Sequence, residues 1–496
     1  MENPGAKAKF PAPIYRETVL EPVFADAKRY FLDPLLAVEY AHTLMLARQG
    51  IMPHAEAAAC IHALDSLDPN EIKPAEYDGS FEDLFFFLEK KLAAICGAEV
   101  AGKMHTARSR NDIDLTMYRM VLRRRLLQVF DALLGLRQSL IELAWIHREA
   151  LMPAYTHNQP AQPTTLGHYL MAYIEILERD AERIRESYAR VNRNPLGACA
   201  ITTTGFPIDR SFTTKLLGFD GLQVNSYGAI AAVDYVAECC GNLATTMLSL
   251  GRFTQDLLLW STVEFGYLRL SDAFVQISSI MPQKRNPVPL EHVRVLASRA
   301  LFEAQSVIGT LHNTPFADMN DAEDDLQPLV YTAFDDAERS ARLLDGIVKD
   351  AEFNTEAMAK AADGNFLPVT ELADTLVRET GMSFHSAHDI VSGAVRELAR
   401  KYDADAMAAI VERELKSRYT VSHEAIRRAL SAKNFVALRR IPGGPAAEVL
   451  EPEILRSRLA AATDRKWLEQ REHMLAEARD TVRNECNHLM GQVDGY

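Results

Sequence analysis

The strongest constraint on this chain is a set of apolar residues spaced in alternating steps of four and three. Leu122, Leu126, Val129, Leu133, Leu136, Leu140 and Leu143 keep this rhythm through three heptads, which returns every member to one face of a helix and to no face of a strand. Val233, Val236, Cys240, Leu243, Met247 and Leu250 form a second such seam, and Val293, Ala297, Ala300, Ala304, Val307 and Leu311 a third. Long helices with an apolar stripe must bury it against one another, so the expected fold is all-α, built around helices packed side by side. The small residues of the third seam permit close approach. Helices this long carry more apolar face than one small bundle hides, which points to a homo-oligomer. Alternating β-branched runs joined by Asn-Gly or Asp-Gly turns do not occur in the sequence.

A chain of 496 residues exceeds what one core usually serves. Three regions are expected: an N-terminal helical domain over 1–112, a central long-helix domain over 113–362 and a C-terminal helical domain over 363–496. The net charge of −14 argues against a general nucleic-acid or membrane-surface binder, which needs clustered cations. The first residues lack the apolar run of a secretory signal, and no stretch of about 18 apolar residues could span a bilayer; a cytoplasmic location is the expectation. Cys60, Cys96, Cys199, Cys239, Cys240 and Cys486 match neither a disulfide framework nor a C-x-x-C metal pattern, and read as small buried hydrophobes.

Polar, proline-containing segments separate the seams, and chemistry tends to sit on such loops. In HTARSRND, His105 to Asp112, Ser109, Arg110 and Asn111 offer a hydroxyl, a guanidinium and an amide suited to a carboxylate. The same residues would also cap the helix that follows. In YTHNQPAQPTTLGHYL, His157 beside Thr156 is a candidate acid or base ahead of a helix, although a histidine in a proline-rich turn is more often structural. The third segment, ISSIMPQKRNP from Ile277 to Pro287, brings together Ser278, Ser279, Lys284, Arg285 and Asn286, with Glu291 following. Its ammonium, amide and backbone N–H groups suit an oxyanion that grows as a proton leaves carbon. A cationic surface loop bounded by prolines is the competing reading.

Taken together, these segments resemble the signature regions of the fumarase/aspartase superfamily and, within it, of the argininosuccinate lyases. ISSIMPQKRNP is similar to that superfamily's G-S-S-x-M-P-x-K-x-N, HTARSRND to H-T-G-R-S-R-N-D, and THNQPAQP to T-H-x-Q-x-A-Q-P. The likeness runs from about Glu82 to Val391, through PLGACAITTTGFPIDR at 195–210 and TELADTLVRETG after residue 369.

The resemblance implies a three-domain subunit in a homotetramer, with a central twenty-helix bundle and each active site built from three loops of three subunits. It implies a carbon–nitrogen lyase that eliminates fumarate from an N-substituted L-aspartate, leaving an amine or guanidine. Argininosuccinate is one candidate substrate; ethylenediamine disuccinate and iminodisuccinate are others. A carboxymuconate-type cycloisomerase and a non-catalytic, crystallin-like tetramer are the alternatives.

Carried over by residue, Ser278 is the general base, Lys284 and Asn286 stabilise the aci-carboxylate, and His157 binds or protonates on the far side, oriented by Glu291. Ser109, Arg110, Asn111, Thr156 and Gln327 hold the substrate. No metal or cofactor is expected, because the electrons end in a C=C bond.

Four departures from the family pattern bear on the substrate. Ile277 and Ala107 each stand where the family has glycine. Leu35 and Glu39, in FLDPLLAVEYAH, fall where it has Asp and Ser, in a neighbourhood it uses to recognise the amine. In NTPFADMNDAEDDLQPL, 313–329, a family tyrosine is lost, Val330 replaces a lysine, and Asp318, Asp321, Glu323, Asp324 and Asp325 add negative charge. That acidic run is either a solvated helix entrance or a pocket retuned for a cationic leaving group.

Overall fold

The computed structural model describes residues 10–399, 401–415 and 418–494. The elements used below are α1 (Glu21–Tyr30), α2 (Leu32–Arg48), α3 (Arg110–Ile146), β1 (Leu151–Thr156), β2 (Gln159–Thr165), α4 (Leu166–Val191) and α5 (Asp234–Trp260). They continue with β3 (Gln276–Ile277), β4 (Arg285–Asn286), α6 (Val288–Leu311), α7 (Gln327–Asp350) and α8 (Ala447–Asp494). The three seams fall on α3, α5 and α6.

All of the third seam is buried, as is the second from Val236 onward and the first up to Leu140. Around the bundle, α4 packs on α3, α3 on α7, α7 on α6, α6 on α5, and α5 back on α4. The fold is all-α and multi-domain in its architecture. One apolar core joins the bundle to the N-terminal helices and to α8, while a separate cluster from Leu372 to Leu430 serves the C-terminal region. None of the described helices is long and apolar enough to cross a membrane.

Helix α3 is the axis that positions the site. Its 37 residues span about 55 Å, with HTARSRND at its start and the hairpin β1–β2 following its end. The hairpin is the main departure from a purely helical reading. Pro153, Pro160 and Pro163 interrupt the pattern by which a strand is recognised, yet a two-stranded sheet has only edges, where a missing N–H is tolerated. At its base, the Cβ that a side chain at Gly167 would add lies 2.6 Å from the Arg148 Cα, so only glycine lets α4 start against the end of α3. The cysteines are free thiols, five buried and Cys96 half-buried.

Candidate active site

Ser109 caps α3 in extended conformation, and its N–H donates to Asp112 Oδ1 at 2.8 Å. Asp112 is fully buried, and its other oxygen accepts from Gly197 N at 2.7 Å and Cys199 N at 2.9 Å. One carboxylate thus joins the HTARSRND turn to the 195–210 loop. Burial pushes its pKa up to about 6 against the pull of these N–H donors.

Upstream, Arg108 donates to Glu39 Oε2 at 2.8 Å in an ion pair sealed from solvent. His42, which burial and Arg108 push down to about 3, is neutral and donates Nε2–H to the Thr106 carbonyl at 2.8 Å. Leu35 and Glu39 therefore face the interior of this chain, where Glu39 braces the turn.

Ala107 has φ of +62°, the region glycine enters freely and alanine enters at a cost of about 1–2 kcal/mol. Glycine loses about 0.4–1 kcal/mol of that gain through unfolded-chain entropy. Ala107→Gly is therefore expected to stabilise the protein by about 0.5–1 kcal/mol, read as a higher denaturant midpoint at unchanged slope.

Arg110 pairs with Asp83 at 2.7 Å and Glu82 at 3.1 Å. Asn111 accepts from the Ser109 hydroxyl at 2.7 Å and donates to Asp318. These side chains and residues 318–325 wall a cleft of about 580 Å³. It is crowded with carboxyl groups: Glu82, Asp83, Asp114, Asp318, Asp321, Glu323, Asp324 and Asp325 line it, with Arg110 the lone cation among the described lining residues, and the crowding keeps part of the set protonated near neutrality. Burial, then the neighbouring Asp324, raises Asp114 well above the carboxylate range. Burial, then a hydrogen bond shared with Asp318, raises Glu323 to about 8. Asp324 rises to about 6 through burial, although the Tyr118 hydroxyl donates to it at 2.6 Å.

His157 and Asn158 form the two-residue turn of β1–β2, both at positive φ, +51° and +58°. Such turns match the twist of paired strands, and asparagine tolerates the conformation better than most residues. Thr156 and His157 are exposed at the tip, while the Tyr155 and Tyr267 hydroxyls meet at 3.2 Å lower down. His168, by contrast, is structural: its ring bonds the Thr164 hydroxyl at 2.8 Å and the Gly443 carbonyl at 3.0 Å.

The ISSIMPQKRNP segment is a loop held at its feet by β3 and β4, where Ile277 pairs with Arg285. Ile277 lies in extended strand, which explains why glycine's freedom is not needed there. Arg285 is tied to Asp272 and to the Leu270 carbonyl, and Asn286 Nδ2 donates to the Gln276 carbonyl at 3.0 Å. Ser278 Oγ accepts from Met281 N at 3.0 Å and Ile280 N at 3.3 Å. Two backbone dipoles therefore point at the oxygen assigned to take a proton. Lys284 is exposed on the same loop, and Glu291 on the first turn of α6.

Within one chain the three loops do not meet. The cleft at Asn111 contains neither His157 nor Ser278, and among the described residues no hydrogen bond or ion pair links any two of the loops. Gln327 is buried, with its amide donating to the Ala322 carbonyl at 3.2 Å and accepting from Tyr331 OH at 2.9 Å. Within the single chain its polar atoms are occupied in starting α7. Val330 is fully buried, which accounts for an apolar residue where the family has lysine. Asp112 and the Glu39–Arg108 pair carry no assigned role in the sequence reading, although both sit in motifs it singles out; a helix-cap residue and an α2 glutamate give no outward sign of being buried.

The fold and site define a class: a long-helix bundle with polar loops around it, one presenting a serine oxygen to backbone N–H donors. A family model described as "Lyase" matches residues 28–301, and one described as "Argininosuccinate lyase C-terminal" matches 366–437. Argininosuccinate lyase 2 of Agrobacterium fabrum is 42% identical over 466 residues, covering 92% of this chain and 90% of that protein. A variant of EDDS lyase with bound fumarate superposes at a TM-score of 0.87 and 32% identity, covering 97% of this chain and 98% of its own. The 3-carboxy-cis,cis-muconate lactonizing enzyme of Pseudomonas putida, at 20% identity and a TM-score of 0.69, covers 90% of this chain and 98% of its own, and shares the fold alone. The chain belongs to the argininosuccinate-lyase-like family of the fumarase/aspartase superfamily, and is a carbon–nitrogen lyase of that type.

Proposed function

We propose that this enzyme eliminates fumarate from an N-substituted L-aspartate whose amine half is positively charged, in a homotetramer whose sites each draw one loop from three subunits. The observation that carries the elimination is Ser278 Oγ facing two backbone N–H groups. Ser278 removes the proton from the carbon next to one carboxylate. The electrons form the C=C bond, the C–N bond breaks, and the amine leaves with a proton supplied on the His157 side, with Glu291 orienting that histidine. Lys284 and Asn286 meet the charge that builds on the carboxylate, and Ser109, Arg110, Asn111 and Thr156 hold the substrate.

Assembly is supported by the faces left over in the single chain. Val295 and Phe302, seven residues apart on one side of α6, are 52% and 65% exposed, and Leu248 on α5 is 56% exposed. Apolar positions at this spacing form a face that a second bundle covers in a central twenty-helix core. Burying it would bring His157 and Ser278, isolated in one subunit, next to loops of others.

The anionic cleft beside Asn111 supports a cationic leaving group. It disfavours ethylenediamine disuccinate and iminodisuccinate, whose far halves bring further carboxylates toward it. The test is fumarate release from a panel of N-substituted aspartates, followed by coupling to fumarase. Substrates whose amine half carries a guanidinium or ammonium and no second succinyl group are expected to lead in kcat/KM. Equal or better turnover of the disuccinates would refute the cationic reading, and no fumarate from any member would refute the elimination.

The pH dependence has a definite sign. Glu323 and Asp324 ionise fully only above about 8 and about 6 respectively, so KM for a permanently cationic substrate is expected to fall as pH rises through that window. Glu323→Gln should flatten the upper part of this trend and cost roughly tenfold in kcat/KM, the value of one nearby charge. The same shifts work against the empty fold. Unfolded carboxylates ionise near 4, so stability is expected to decline as pH rises from there toward about 8.

A further inference from the structure

On a chain of net charge −14, one cleft is cationic. Lys28 and Arg29 of α1, Lys73, and Arg124 and Arg125 of α3 line a space of about 310 Å³ between α1, the 73 region and α3. Arg124 and Gln128 also line a larger cleft of about 740 Å³ between α3, α7 and α8, to which Arg479 contributes.

Most cations in these walls have partners. Arg125 pairs with Asp335, Arg465 with Asp131, Lys349 with Asp345 at 2.6 Å and Arg342 with Glu338 at 3.1 Å. Lys28 donates to the carbonyls of Lys73 and Ala75. Arg29, Lys73, Arg124 and Arg479 form no ion pair and no side-chain hydrogen bond among the described residues. Arg29 and Lys73 line the smaller cleft, Arg479 lines the larger, and Arg124 lines both. Burial and the facing Arg479 both press the Arg124 pKa down, and Asp33 opposes them only in part.

Like charges held together without partners oppose folding, and solubility does not require them on a chain already far from neutral. A multivalent oxyanion would relieve the repulsion. Guanidinium groups offer paired N–H donors that match phosphate oxygens, and a lysine adds a mobile charge. Arg124 follows Arg110 by fourteen residues on the same helix, about 21 Å along its axis, which separates this place from the catalytic turn.

We propose that the junction of these clefts, centred on Arg124 with Lys73, Arg29 and Arg479, binds a small multivalent anion of the phosphate class. Asp33 of the smaller cleft and Glu472 of the larger are carboxylates that share these walls, and an anion would have to sit clear of both.

The test is calorimetric titration of inorganic pyrophosphate into the full-length enzyme at fixed ionic strength, with saturating fumarate present to occupy the catalytic carboxylate sites. Saturable binding is expected, unaffected by fumarate and weakened at least tenfold by Arg124→Gln and, separately, by Lys73→Gln. Both side chains lie at the surface of the fold, and thermal melts of each variant check that it is intact. Absence of saturable binding, displacement by fumarate, or variants that bind within twofold of the parent would each overturn the proposal. Citrate binding as tightly as pyrophosphate would overturn its assignment to phosphate.

Discussion

Ser278→Ala is expected to slow fumarate release by about a thousandfold, within the range of 10²–10⁴ that a positioned general base supplies. An unassisted serine hydroxyl is a very weak base, and its alkoxide exists near neutrality only where positive charge and N–H donors stabilise it. Here Met281 N and Ile280 N already point at Oγ, with the Lys284 ammonium on the same loop. Alanine removes the oxygen and leaves the donors facing an empty place. Ser278 is half-buried on a loop outside the core and its Oγ accepts two backbone N–H groups, so its removal should cost no more than about 1 kcal/mol of stability. The loss should fall on kcat, with substrate still bound through Asn111 and its neighbours. The coupled fumarase assay reads the rate and a thermal melt checks the fold; full turnover in the variant would remove Ser278 from the base role.

Mixing two inactive proteins should restore activity if the sites are shared. His157→Asn spoils the hairpin tip and Ser278→Ala spoils the base, each in every site of its own tetramer. When subunits of both kinds are unfolded together and refolded at equal concentration, a given site takes its 278 loop from one subunit and its hairpin from another. Each is intact half the time, so about a quarter of the sites recover, and activity should approach about a quarter of the parent's. Sites confined to single subunits would recover nothing. The effect is large because the starting activity is close to zero, and it depends on geometry rather than on the detailed role of either side chain.

The bundle was legible because its periodicity is long. Seams that keep one face apolar over 122–143, 233–250 and 293–311 admit only helices, and the burial of the third seam and nearly all of the first two follows from that. The hairpin was not legible. Strand pattern there is short, broken by three prolines, and closed by a His-Asn turn rather than Asn-Gly. Among the candidate residues, Lys284 and His157 stand exposed and Ser278 half-buried on the loops their motifs mark, whereas Gln327, read as a substrate contact by alignment with a family pattern, spends its amide within the start of α7 in the single chain. A glutamine's sequence position carries no information about which way its amide turns.

Local order in the sequence determined the helices, their apolar faces and the residue types at each loop, since these depend on spacing along a chain whose geometry is constant. Only the tertiary structure decided which polar groups are used up inside. It turned Glu39 toward Arg108, drew three N–H groups onto Asp112, and closed the acidic run into a cleft beside Asn111. The physical reason is that burial and charge coupling depend on distance through space, and residues more than two hundred positions apart, such as Asn111 and Asp318, share a hydrogen bond that no local pattern announces.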